Sequence, residues 1–163
     1  MKIEPLSKKT LASAVELVNS IFPDQTKYEK ADYVLSKSLD WQTKKKPIHR
    51  SIEDNRYWVA VEREKVIGLV GLYVCKKDMK EANWLGWFCV SKLHRRRDLG
   101  KKLLDFAINK TQSMGKKYLR LYSSEDPVES AAQKLYEKTG FRFVGKKGVK
   151  GRKYKDVFWE LKL

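Results

Sequence analysis

Residues 90–104 read VSKLHRRRDLGKKLL, and this stretch decides how the chain is interpreted. An apolar strand pattern ends here, and three arginines and an aspartate lead to Gly100 at the start of an amphipathic helix pattern. The first turn of a helix carries unpaired backbone N–H groups and a partial positive charge. The segment can therefore bind an anion such as phosphate. A solvated basic helix start is the alternative, and these residues alone leave both interpretations open.

The composition is that of a basic, folded protein. The chain has 163 residues, 42% of them hydrophobic, and a formal net charge of +16. This length suits one core, so we expect a single domain over residues 1–163. The charge favours an anionic partner: nucleic acid, a phosphorylated cofactor, an acidic lipid or an acidic protein. No signal-peptide core and no apolar run of membrane-spanning length is found, so we expect a cytoplasmic protein without a membrane partner.

The two cysteines, Cys75 and Cys89, lie within apolar runs and lack CxxC spacing. The chain has only two histidines, so the sequence indicates no zinc site or other metal site. Because buried cysteine usually behaves as a small hydrophobic residue, we expect two buried, reduced thiols.

Hydrophobic periodicity predicts the element order β α α β β β α β α β β. Ser7 is the expected cap of the first helix. A second helix is predicted over residues 27–39, with Tyr28 among its inward-facing side chains. Residues 40–55 show no clear period, and we expect them to form a connecting loop that faces a partner.

The second half of the chain predicts a parallel β-α-β unit made of strand 84–90, helix 99–114 and strand 117–123. The first strand is apolar on both faces, which is typical of a central strand, and Gly86 marks a candidate bulge. Ligands of such sheets bind at the carboxyl ends of the strands, which is where the quoted stretch lies.

Two segments together resemble the GCN5-related N-acetyltransferase (GNAT) superfamily. In that family a strand ending in Val leads into Arg/Gln-x-x-Gly-x-Gly/Ala; here Arg95 takes the first position and Gly100 the last, and Asp98 replaces the middle glycine. Residues 129–141, ESAAQKLYEKTGF, are similar to a later family helix, with Glu129 where Asn is common. The resemblance implies an α/β fold with a mixed, mostly antiparallel central sheet, a parallel β-α-β unit and helices on both faces.

By this resemblance the cosubstrate is acetyl-CoA. Its pyrophosphate would bind backbone N–H groups of residues 95–101, and its pantetheine arm would lie between strands 84–90 and 117–123, which splay apart in the family. The arm would pair with the backbone of Phe88 and Val90, and an N–H of this strand would stabilise the oxyanion. The cofactor-binding residues implied are Phe88, Cys89, Val90, Arg95, Arg96, Arg97, Asp98, Leu99, Gly100, Lys101 and Glu129.

Tyr136 is the catalytic side chain that the resemblance implies. In the family this tyrosine faces the thioester sulfur and protonates the leaving thiolate, which a phenol with a pKa of about 10 can do at neutral pH. A packed tyrosine with a satisfied hydroxyl is the alternative. Glu129 either completes a capping box with Asp126 or contacts the pantetheine arm. Asp98 would repel a pyrophosphate, and as a helix cap it would compete for the same N–H groups.

The general base and the acceptor are less well marked. Glu81, Tyr122, Ser123 and a water-relayed path are all candidates for deprotonating the amine. In the family the first two helices and the following loop shape the acceptor site. Carboxylates there would suit a cationic acceptor or simply be solvated; they are Asp24, Asp40, Glu53 and Asp54. Aromatic residues nearby line either an acceptor pocket or the core; they are Trp41, Tyr57, Trp58, Trp84 and Trp87.

The leading hypothesis is transfer of acetyl from acetyl-CoA to a primary amine by direct attack in a ternary complex. A basic nucleic-acid-binding module is the second, because TKKKP, HRRR and KKGVKGRKYK form basic patches at residues 43–47, 94–97 and 146–155. A catalytically inactive family member that binds CoA is the third. The sequence does not fix the oligomeric state, and a homodimer is one possibility.

Overall fold

The computed structural model describes residues 1–27, 29–44 and 49–163. The predicted element order is confirmed, and the prediction for Tyr28 lies outside the described residues. The strands are β1 (Lys2–Pro5), β2 (Ile52–Glu62), β3 (Lys65–Cys75), β4 (Ala82–Val90), β5 (Tyr118–Ser124), β6 (Arg142–Lys147) and β7 (Asp156–Lys162). The helices are α1 (Lys8–Ile21), α2 (Ala31–Lys44), α3 (Leu99–Ser113) and α4 (Ser130–Thr139).

The strands form one seven-stranded sheet in the order β1-β2-β3-β4-β5-β7-β6. Neighbouring strands are antiparallel except for the parallel pair β4 and β5. This topology confirms the mixed, mostly antiparallel sheet with one parallel unit. No helix among the described residues is both long enough and apolar enough to cross a membrane.

Two hydrophobic cores cover the two faces of the sheet. Leu69 of β3 packs in one core with Val18 of α1. Val70, its neighbour in sequence, packs in the other core with Leu103 of α3. Because successive side chains of a strand point to opposite faces, α1 and α3 must lie on opposite sides of the sheet. Helices on both faces are therefore confirmed.

The second helix starts and ends later than residues 27–39. Its start is set by the Gln25 side chain, whose Oε1 accepts a hydrogen bond from the Ala31 N–H at 2.8 Å. Near its end, Asp40 lies 3.5 Å from the Lys44 ammonium, and the Trp41 indole donates to the Glu53 carbonyl at 2.8 Å. The expected loop over residues 40–55 is thus wrong at both ends, because 40–44 extend α2 and 52–55 begin β2.

Strand β4 is central, as predicted, and its bulge is confirmed. Phe88 lies opposite Val70 of β3, whereas Leu85 lies opposite Leu72, so two residues of β4, 86 and 87, oppose the single Gly71.

The two thiols differ in environment. Cys89 is buried, and burial raises its pKa to about 12. Cys75 ends β3 and is only partly buried, so the expectation of burial was wrong for this thiol.

Candidate active site

A cleft opens between the two parallel strands of the sheet. β4 and β5 pair only from Ala82 opposite Tyr118 to Trp84 opposite Arg120. Both strands lie wholly within the described residues, and beyond this point they continue without pairing to each other. The expected splay is therefore confirmed, and it leaves the facing backbone edges of residues 85–90 and 121–124 available to a ligand.

The hydrogen-bond register of β4 determines which backbone groups face this cleft. The Ser91 N–H donates to the Ile67 carbonyl of β3 at 2.9 Å. In an antiparallel ladder, alternate residues direct their N–H and C=O groups to the same neighbour. Cys89 therefore points its backbone at β3, and Phe88 and Val90 point theirs at the cleft. The Cys89 side chain is buried in the α1 core, so this residue is not brought to the cleft.

The quoted stretch forms the start of α3 at the carboxyl end of β4. The first helical hydrogen bond runs from the Lys102 N–H to the Asp98 carbonyl at 2.9 Å, so the N–H groups of residues 99–101 have no intrahelical partner. Gly100, in the first turn of α3, packs against β4 and α4, where an added Cβ would be 3.5 Å from Leu135 and 3.9 Å from Phe88. These are ordinary contacts, so packing does not require the glycine, but its small size leaves the helix start open to a ligand.

Asp98 occupies the left-handed region, with φ +56°, and its side chain makes no capping hydrogen bond. The expectation that Asp98 caps the helix is therefore wrong, because a capping residue normally has extended backbone that brings its side chain over the first N–H groups. The left-handed conformation is the one that favours glycine, and aspartate is among the residues that tolerate it. The backbone at this position thus keeps a glycine-like shape while adding a carboxylate.

Basic side chains surround this helix start. Arg95, Arg96 and Arg97 are all exposed. Arg95 Nε lies 3.4 Å from the Val90 carbonyl, which places the guanidinium at the end of the cleft. Lys101 is held by Asp105, with its ammonium 2.6 Å from the carboxylate. The three arginines are therefore the more available cations for a phosphate.

Tyr136 lies on α4 with its ring buried, and the ring centroid is 6.0 Å from that of Phe88. Its hydroxyl oxygen forms no hydrogen bond with any described residue. This oxygen is not completely buried, so it can still be reached from solvent. Burial raises the pKa of Tyr136, and the charge of Glu129 raises it further. The side chain is thus a packed ring that carries a free, protonated hydroxyl.

Glu129 is held at the end of β5 by Ser124, whose hydroxyl donates to its carboxylate at 2.8 Å. The Asp126 N–H also binds this serine oxygen, at 3.2 Å, and the Asp126 carboxylate accepts from the Val128 N–H. Asp126 therefore caps this turn, but the capping-box alternative for Glu129 is wrong, because the Asp126 N–H and the Glu129 carboxylate both bind Ser124 instead of each other. Burial raises the pKa of Glu129, and nearby Asp126 and Asp156 add to this, although bonds from Ser124 oppose it.

The carboxylates expected at an acceptor site lie elsewhere. Asp40, Glu53 and Asp54 pair with lysine or arginine near α2 and β2, at 3.5 Å from Lys44, 3.9 Å from Lys76 and 2.9 Å from Arg56. β2 is two strands away from β4. Asp24 is exposed in the segment that follows α1. The structure therefore does not bring these residues to the cleft.

Glu29 is an acidic residue that reaches β5 and that sequence reasoning missed. Arg152 Nη2 lies 2.8 Å from both of its carboxylate oxygens, and the Tyr122 hydroxyl donates to it at 3.4 Å. Glu29 and Arg152 are 123 residues apart, so no local pattern could have paired them.

The three side chains considered as general base are all engaged in hydrogen bonds or ion pairs. Glu81 lies 2.9 Å from Arg120 at the paired end of β4 and β5. Ser123 is buried, and its oxygen accepts from the Trp159 indole at 3.2 Å. Burial raises the pKa of Tyr122, and the charge of Glu29 raises it further, so this hydroxyl stays protonated at neutral pH.

A family model described as "Acetyltransferase (GNAT) domain" matches residues 53–143, more than half of the chain. The chain therefore belongs to the GNAT acetyltransferase family. The matched range runs from β2 through α4 and includes both sides of the cleft. No curated protein sequence matches the chain.

Solved structures share the fold over almost the whole chain. A GNAT-family acetyltransferase from Staphylococcus aureus Mu50 has 19% identity and a TM-score of 0.75, with 99% of this chain and 98% of that one covered. An aminoglycoside 6′-N-acetyltransferase complexed with coenzyme A has 14% identity and a TM-score of 0.73 over 99% and 97%. Arabidopsis thaliana NAA60 with a bisubstrate analogue has 16% identity and a TM-score of 0.74 over 99% and 97%.

Proposed function

We propose that this protein transfers the acetyl group of acetyl-CoA to a primary amine by direct attack in a ternary complex. The observation that carries this proposal is the cleft between β4 and β5, which leads to the open N-terminus of α3. A thioester whose long polar arm leads to a pyrophosphate needs both features together.

The residues present fit coenzyme A. The unpaired N–H groups of residues 99–101 and the positive end of α3 suit a pyrophosphate, and Arg95, Arg96 and Arg97 add charge beside them. The cleft-facing backbone of Phe88 and Val90 suits the amides of the arm. Glu129, which Ser124 holds at the end of β5, would lie beside the arm. Asp98 is the unfavourable member of the set, because its charge opposes an anion.

The chemistry then divides between one backbone group and one side chain. Acetyl-CoA supplies an acyl group already activated as a thioester. The acceptor nitrogen forms the new C–N bond as the C–S bond breaks, and an N–H of β4 beside the cleft stabilises negative charge on the carbonyl oxygen. Tyr136 gives its proton to the departing thiolate. The proton lost by the amine leaves by way of water, since none of the three candidate side chains is free, and a proton from water restores the Tyr136 hydroxyl.

The fold relatives and the edge of the cleft guide the choice of acceptors to test. A relative that acts on aminoglycosides makes a small cationic amine one candidate. Glu29 and Tyr122 border the carboxyl end of β5, where such an amine would approach. An amine panel should therefore include small polyamines, aminoglycosides and peptides with free N-termini.

Thermal unfolding with saturating acetyl-CoA, in low and moderate salt, tests the proposal. A ligand at a hundredfold excess over its Kd stabilises the folded state by about 2.7 kcal/mol. The rise should persist in moderate salt and should be lost in Gly100→Glu, which places a carboxylate at the helix start. Gly148→Glu, where an added Cβ meets nothing within 4 Å, is the matched control.

Three other outcomes would contradict the proposal. If acetyl-CoA does not stabilise the wild type, the protein does not bind this cosubstrate. No stabilisation together with steeply salt-dependent RNA binding favours the basic nucleic-acid-binding module. Stabilisation without acetyl transfer to any amine of the panel favours an inactive CoA-binding protein.

A further inference from the structure

Tyr57 of β2 fills the space above two glycines of the sheet. Its side chain is buried, and its ring lies against Gly71 of β3 and Gly86 of β4. A Cβ added at Gly71 would overlap the ring, and one added at Gly86 would lie 2.6 Å from the hydroxyl oxygen. Both glycines are therefore needed for the tyrosine to occupy this position.

The Tyr57 hydroxyl also binds the backbone of the β4 bulge. The Trp87 N–H donates to it at 3.2 Å. A bulge leaves one residue without its partner in the ladder, and a buried N–H without a partner is costly. The tyrosine oxygen thus supplies an acceptor to this N–H at the point where β4 loses its regular register with β3.

This bulge decides which side of β4 faces the cleft. Without the extra residue, Trp87 rather than Phe88 would lie opposite Val70. A shift of one residue moves every later side chain to the other face and turns every later N–H to the other neighbour. The bulge therefore brings the Phe88 ring against Tyr136, at 6.0 Å between centroids, and turns the Phe88 backbone to the cleft.

We propose that the Tyr57 hydroxyl is a positioning group for acyl transfer, which holds the β4 bulge and thereby aims the strand's N–H groups at the reacting carbonyl. Tyr57 acts through the backbone of Trp87 and does not itself touch the substrate. This inference rests on the proposed function. It adds to that function a residue on the opposite side of the sheet from α3 and α4.

Tyr57→Phe tests the role, because the ring still fills the space above the glycines and only the hydroxyl is lost. We expect kcat for acetyl transfer to fall about tenfold or more, as when an oxyanion donor is misplaced, while the Kd for coenzyme A changes less than about twofold. The split is expected because the pyrophosphate site lies past Val90, at the start of α3, and not at the bulge of residues 86 and 87. Tyr73→Phe is the matched control: Tyr73 lies on the same face, its ring stacks 6.2 Å from Trp84, and neither constant should change.

A second pair of variants tests whether Gly86 and the Tyr57 hydroxyl act together. Gly86→Ala should lower kcat by pushing a methyl group into the Tyr57 hydroxyl. In a Tyr57→Phe background the same substitution should cost much less, because the oxygen it displaces is gone. Additive losses, or a wild-type kcat in Tyr57→Phe, would overturn the proposal.

Amide hydrogen exchange of Trp87 gives a readout that is independent of activity. Exchange should be faster in Tyr57→Phe than in wild type and unchanged in Tyr73→Phe. An unchanged rate would show that Tyr57 does not hold the bulge. A wild type that fails to transfer acetyl would count against the proposed function, while the exchange rates would still report on Tyr57 and the bulge.

Discussion

Glu29 and Arg152 join two distant segments beside the open end of β5. Arg152 Nη2 lies 2.8 Å from each carboxylate oxygen of Glu29, and the Tyr122 hydroxyl approaches the same carboxylate. Glu29 precedes α2, and Arg152 lies between β6 and β7. The pair therefore links the first helical region to the last hairpin of the sheet, next to the expected path of the acceptor.

Glu29→Gln should lower stability at neutral pH and have no effect in acid. Burial raises the pKa of Glu29, but hydrogen bonds from Thr26 and Arg152 and the charge of Arg152 outweigh it, so the pKa is below its ordinary value. Such a carboxylate adds stability above its unfolded pKa, and this stability is lost as pH falls through the folded pKa.

The expected loss at neutral pH is about 1 kcal/mol or less, because both side chains are partly exposed. Urea unfolding from about pH 7 to about pH 3 measures it. Glu64→Gln, at an exposed side chain, should show no comparable dependence on pH. A Glu29→Gln deficit that is equal at both ends of the range would contradict the assignment.

Tyr136→Phe should abolish most of the turnover without unfolding the protein. The hydroxyl has no hydrogen-bond partner among the described residues, so its removal leaves no buried group unpaired. The ring contacts remain, and we expect stability within about 1 kcal/mol of wild type. Loss of a general acid typically costs about a hundredfold in kcat. Steady-state kinetics beside a coenzyme A titration measure both effects, and an unchanged kcat would assign the tyrosine to packing alone.

Asp98→Asn and Asp98→Gly should both tighten coenzyme A binding. Each removes a carboxylate from the start of α3, and we expect Kd to fall about threefold to tenfold at low salt and less at high salt. Asparagine tolerates the left-handed backbone nearly as well as aspartate, so it isolates the effect of charge. A gain with glycine only would instead indicate close approach of the backbone to the ligand. Unchanged Kd in both variants would place the pyrophosphate away from residue 98.

Arg120→Met should strongly destabilise the fold at the point where the cleft begins. Arg120 binds Asp78 at 2.8 Å and Glu160 at 2.7 Å, and these carboxylates are only 8% and 16% exposed. Removing the cation from a buried ion pair typically costs about 3–5 kcal/mol, and of the described residues only the Trp84 indole and the exposed Arg142 would still bind these carboxylates. Arg142→Met, which removes an exposed partner of the same Glu160, should cost less than about 1 kcal/mol. Urea unfolding compares the two variants, and equal losses would show that the carboxylates are not held by Arg120.

Local signals in the sequence were enough to predict most of the elements. Ser7 does occupy the cap position of α1, where its N–H donates to the Thr10 hydroxyl at 3.0 Å, and Gly140 ends α4 with φ +98°. These signals depend on residues within one helical turn of each other. The range of α2 was wrong because its limits depend on Gln25 and on the contact of Trp41 with β2.

In the candidate site, too, short-range patterns were predicted and contacts between distant residues were not. The stretch at 90–104 and the helix at 129–141 marked the open helix start and Tyr136, and Gly86 marked the bulge. The partner of that bulge, Tyr57, is 30 residues away from Trp87, and the sequence offered it only as pocket or core. The Glu29–Arg152 pair and the Arg120 network had no sequence signal of their own.

The sequence by itself therefore determined the order of the elements, the basic helix start after β4 and the residues that mark the family. Each of these depends on short-range spacing, which a linear pattern records. Only the tertiary structure decided where β4 and β5 separate, which backbone groups face the cleft and which partners the carboxylates bind. Those features depend on strand register and on side chains that meet across the sheet, and a shift of one residue in β4 would reverse them.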